Sequence, residues 1–69
     1  MHRYLVVIEK AENNFSAYVT DLPGCIATGD TIEDTEKNIF QAIKMHLKGL
    51  KEDNLPIPQA FAFAELMAV

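Results

Sequence analysis

Five carboxylates in this 69-residue chain, Glu9, Asp21, Asp30, Glu36 and Glu65, are the side chains that could serve a metal-dependent reaction. Cleavage of a phosphodiester by two magnesium ions needs several such groups converging on metals that clamp the attacking and leaving oxygens. Their contexts argue against convergence. Asp21 and Asp30 lie among turn-forming residues and are better explained by turn formation, Glu9 ends a strand-like run, and Glu36 falls at the edge of a helical apolar face. His46 lies inside that apolar arc, where a ring could act as a general base, but no carboxylate or hydroxyl partner is identifiable, and a packed ring is the simpler reading. Cys25 opens a strand after a turn with no recognisable histidine partner, as a small buried hydrophobe does. His2, beside the terminus, is expected to be mobile, and His2, His46 and Cys25 fit no metal-ligand spacing. We therefore expect no enzyme, no metal and no cofactor.

The elements that would position these residues follow from periodicity. Arg3 to Lys10 is β-branched, aromatic and nearly continuously apolar, which predicts a central strand with both faces covered. Phe15 to Thr20 alternates, with Phe15, Ala17 and Val19 on one face and Ser16, Tyr18 and Thr20 on the other. Between them Asn13 and Asn14, which tolerate left-handed backbone, predict a hairpin. Residues 25–28 form a short third strand, reached through Asp21-Leu22-Pro23-Gly24. There Asp21 can accept a backbone hydrogen bond two residues on, Leu22 folds back over the sheet edge, Pro23 fixes φ, and Gly24 supplies the positive φ of a type II turn.

From Ile32 the period changes. Ile32, Ile39, Phe40, Ile43, Leu47 and Leu50 fall within about 100° on a helical wheel, opposite Glu33, Asp34, Lys37, Gln41, Lys44, Lys48 and Lys51. This is one amphipathic helix of about 20 residues. Gly29 releases the chain from the third strand, Thr31 is its N-cap with Asp34 three residues on, and Asn54 is a left-handed C-cap before Pro56 and Pro58 forbid continuation. Residues 60–69 have helix-favouring composition, yet Phe61 and Phe63 alternate with alanines; we expect a strand, adding in parallel beside the first. The fold class is α+β, in the order βββαβ, with antiparallel hairpins and one helix on one sheet face.

Two motifs at this separation, Asp21-Leu22-Pro23-Gly24-Cys25 and Gly29-Asp30-Thr31 with Glu33, followed by Pro56 and Pro58, resemble the HicB family of antitoxins from bacterial and archaeal toxin-antitoxin pairs. The resemblance spans nearly the whole chain. Thr20 stands where the family usually has proline, Asp34-Thr35 replaces Glu-Ala, and Asn54 replaces a common glycine, all with equivalent turn or cap chemistry. The resemblance implies a degenerate ribonuclease-H-like fold. It also implies a role: binding a small basic messenger-RNA-cleaving toxin, called HicA, and covering its catalytic histidine. Many family members continue into a DNA-binding segment, whereas this sequence ends at Val69, so a single domain over 1–69 without direct nucleic-acid binding is expected. The alternatives are a metal-dependent ribonuclease-H-like nuclease and a stand-alone self-assembling domain without a toxin.

Composition agrees with docking. A formal charge of −4 and a pI near 4.9 are unlike a domain built to grip phosphate backbones and suit a basic protein partner, although mild acidity also simply maintains solubility. No apolar run approaches the ~20 residues of a membrane span, and a cytoplasmic protein with reduced Cys25 is expected. In a chain this short, ordering costs of about 1.5 kcal/mol per residue roughly cancel apolar burial, and one cysteine cannot form an internal bridge. Association, with another copy or with a partner, is the remaining aid, and a homodimer or higher even-numbered oligomer through the edge of the third or the C-terminal strand is expected. Thr35, Ala42 and Gly49, seven residues apart beside Asn38 and Met45, form a strip of small side chains that would admit either a partner's backbone or the protein's own sheet.

Overall fold

The computed structural model describes residues 2–69. It contains β1 (Val6–Lys10), β2 (Phe15–Val19), β3 (Ile26–Gly29) and α1 (Ile32–Glu52), in that order. The strands form one antiparallel sheet in the order β1-β2-β3, with Val6 opposite Val19, Ile8 opposite Ala17, and Ala17 opposite Ala27. Because side chains alternate along strands, this register puts Val6, Ile8, Ala17, Val19 and Ala27 on one face, and α1 packs there, mostly over β2 and β3. Ala17, Val19, Leu22, Cys25 and Ile39 are the buried core.

Local chemistry fixes the connections. The Leu22–Cys25 turn closes with Cys25 N–H donating to the Leu22 carbonyl at 3.1 Å, and Gly24 has φ of 83°, as a type II turn requires. Leu22 does more than shield the edge: it is completely buried and seals the core from that end. Thr31 caps α1 by accepting from Asp34 N–H at 3.0 Å. At the other end the cap residue is Asp53, followed by Asn54 with φ of 57°. Asn54 N–H donates to the Lys51 carbonyl and Leu55 N–H to the Leu50 carbonyl, the paired bonds of a Schellman motif.

The expected architecture differs in four places. Asn13 and Asn14 join β1 to β2 without left-handed backbone; Asn54 is the one non-glycine residue with positive φ among those described. The β1 strand lies at an edge of the sheet, and the other sheet face is open. Residues 60–69 form no strand within the chain, so the order is βββα. Finally, α1 sits rotated toward its small side chains: Thr35 is buried with Ile39, whereas Ile32 and Phe40 remain exposed. The cause is Gly29, where a Cβ would lie 2.6 Å from Thr35 Oγ1 and 2.7 Å from Thr35 N. Only the missing side chain lets the first turn of α1 come so close to β3.

Candidate protein-binding surface

The carboxylates are dispersed. Glu9 is exposed at the end of β1, Asp30 at the helix entry, Glu36 on α1 and Glu65 in the C-terminal segment. Among the described residues no three His, Cys, Asp or Glu side chains are close enough to hold a metal ion. Asp21 is occupied by the backbone: its Oδ2 accepts from Phe61 N–H and Ala62 N–H, both at 3.0 Å. The expected bond two residues on does not form, because the residue there is Pro23, which has no amide hydrogen. Tyr4 O–H donates to the Pro58 carbonyl, a second tie to the same segment.

His46 and Cys25 line one shallow cleft together with Ala42 and Met45, a juxtaposition across 21 residues of sequence that periodicity did not expose. Burial pushes the Cys25 thiol above its ordinary pKa, the opposite of what an attacking cysteine, which needs the thiolate, requires. His2, expected to be mobile, stacks on Tyr4 with ring centroids 5.9 Å apart.

The small-residue strip divides in two. Thr35 is buried with its hydroxyl donating to the Thr31 carbonyl, Asn38 donates from Nδ2 to the Thr28 carbonyl at 2.7 Å, and Ala42 packs on the core. This half seats α1 on its own sheet. Met45, by contrast, is 73% exposed, and a Cβ added at Gly49 would meet nothing within 4 Å.

Two further apolar surfaces are open. On the uncovered sheet face Val7, Tyr18 and Ile26 stand in one cross-strand row, with Ile26 70% exposed. On the helix side, an open groove of about 410 Å³ runs between α1 and the β1 half of the sheet, lined chiefly by Tyr4, Val6, Ile8, Ile39, Phe40 and Ile43. It exists because α1 covers β2 and β3 and leaves the Phe40 flank unpartnered. Over Phe40 itself the Lys44 ammonium sits 5.5 Å from the ring centroid, a cation-π contact that leaves the side facing β1 free. Among the described residues no helix is long and apolar enough to cross a membrane.

Comparison with known proteins places this arrangement. The profile of the HicB_like antitoxin of bacterial toxin-antitoxin system matches residues 4–69. A UPF0150 protein of Helicobacter pylori (strain J99) is 43% identical over 49 residues, covering 71% of this chain and 68% of that protein. An uncharacterized 14.9 kDa protein from the rep-hol intergenic region of Haemophilus phage HP1 is 35% identical over 57 residues, 83% of this chain. The chain spans only 43% of the phage protein's length. Among solved structures, a chain of the HicA3 and HicB3 toxin-antitoxin complex superposes with a TM-score of 0.70 at 33% identity, over 80% of this chain and 64% of that one.

Proposed function

The chain belongs to the HicB-like antitoxin family of bacterial toxin-antitoxin systems, and from that premise we propose that it neutralises a small basic HicA-like, messenger-RNA-cleaving toxin by covering its active surface. The observation that carries this reading is the likeness, at 33% identity, to a chain of a complex between a toxin and its antitoxin. The chemistry of the surface supports it. The chain offers exposed apolar side chains and a net charge of −4, a combination that steers toward a basic partner and then excludes water from the contact. Masking of this kind makes and breaks no covalent bond. It needs only that the toxin's substrate and this chain compete for the same ground.

Within this reading the contact strip narrows to Met45 and Gly49, where another backbone can approach α1 without displacing the protein's own sheet. The strip also borders the Cys25–His46 cleft, which can receive a projecting side chain. The protein is further proposed to act as a homodimer, because a single 69-residue chain leaves both an unpaired sheet edge and several large apolar side chains in water.

The test is co-expression with a small basic protein encoded beside this one. A stoichiometric complex that no longer cleaves RNA, and that weakens on Met45→Glu, is the expected result. Magnesium-dependent RNA cleavage by the purified chain alone, lost on Asp21→Ala or Glu9→Ala, would replace this reading with a nuclease.

A further inference from the structure

The C-terminal segment has the alternation of a strand but pairs with no strand of its own chain. Phe61 and Phe63 are 76% and 82% exposed, and Leu66, Met67 and Val69 are also in water, although this is the most apolar run of the second half of the chain. The segment is not detached. Tyr4 holds Pro58 beside the start of β1, and the Asp21 carboxylate takes the amides of Phe61 and Ala62 at the β2–β3 turn. These ties carry the backbone from the start of β1 across the end of the sheet to the β2–β3 turn, away from the β1 edge of its own chain. The radius of gyration, 13.2 Å, reflects the projection; a compact chain of this length has about 11 Å.

The same molecule carries a site shaped for such a strand. The β1 strand has a neighbour on one side only, and the groove of about 410 Å³ between β1 and α1 opens along that free edge. A strand added to β1 would place alternate side chains toward α1. Phe63 opens the free part of the arm and Phe61 stands at the bend where Asp21 holds it, so the two rings are near enough to cover Val6 and Ile8 and meet Phe40 and Ile43.

The geometry points to reciprocal arm exchange: residues 63–69 of one copy pair with the free edge of β1 in a second copy, with Phe63, and Phe61 at the bend before it, seated in that copy's groove. The required area is present. The two rings offer roughly 300 Å², the three aliphatic side chains add a comparable amount, and each chain buries both an arm and a groove, which reaches the ~800 Å² per partner of a stable interface. Exchange also explains why α1 leaves its Phe40 flank uncovered: the missing layer comes from the other chain. This inference rests on the dimer reading and specifies which residues make the dimer.

Light scattering on the full chain tests it. Wild type is expected at twice the 7.7 kDa chain mass at micromolar concentration, and the double variant Phe61→Ser, Phe63→Ser at the mass of one chain, with its helical circular dichroism retained because neither ring supports the monomer. Leu55→Ser, an exposed apolar residue outside the arm, should leave the dimer intact. Energy transfer between a donor on Glu9→Cys chains and an acceptor on separate Glu65→Cys chains should appear on mixing. A monomeric wild type would overturn both the dimer and the exchange. A double variant that remains dimeric, or transfer seen only when both labels share one chain, would overturn the exchange while leaving the dimer reading in place.

Discussion

Gly29 and Cys25 show how much of this surface depends on single atoms. At Gly29 the obstacle to a side chain is the backbone of Thr35, which cannot rotate away. Gly29→Ala should therefore push α1 off β3 and cost about 1–3 kcal/mol in denaturant unfolding, the usual penalty for overpacking; a stability equal to wild type would mean that the close approach is not needed. Cys25 makes a pH prediction. Its folded pKa is raised by burial, so the folded state favours the protonated thiol, and the associated stability is complete below the unfolded pKa of about 8.5 and falls as pH rises through the folded value. Unfolding followed from neutral to alkaline pH should show a decline that Cys25→Ala reduces, and the native thiol should react slowly with alkylating reagents until the protein is unfolded. Rapid labelling of the folded protein at neutral pH would contradict the burial.

At the scale of elements, residues whose partners are three to five positions away could be read from the sequence. Thr31 with Asp34, Gly24 within its turn and Asn54 after the helix all depend on local backbone geometry, and all three occur as expected. The helix rotation could not be read, because periodicity ranks hydrophobicity while the packing was decided by Gly29, which tolerates Thr35 and no larger contact. The C-terminal segment was illegible for a related reason. Its alternation signals a strand, but its ties reach Asp21 some 40 residues back and lead it away from the β1 edge of its own chain. The uncommitted half of the small-residue strip gives a direct test. At Gly49 an added methyl meets nothing, so Gly49→Ala should stabilise the free protein by up to about 1 kcal/mol through helix propensity, measured by thermal unfolding. Gly49→Gln, also a far better helix former than glycine, should likewise stabilise the free protein yet weaken toxin binding if a backbone docks there; unchanged binding would remove Gly49 from the contact.

For the whole molecule, charge and apolar exposure act in opposite directions on the two proposed kinds of partner. Two copies each at −4 repel, so self-association driven by apolar burial should strengthen with added salt, whereas capture of a basic toxin should slow. Sedimentation across a salt series reads the first effect, and a dimer that dissociates as salt is added would show that ion pairs hold it together. Covering without chemistry is the property on which the functional account depends. The decisive measurement is RNA cleavage by the purified toxin titrated with this protein: activity should fall to zero at a stoichiometric ratio and return when a Met45→Glu variant replaces the wild type. Full cleavage in the presence of excess wild-type protein, with no complex formed, would contradict the account.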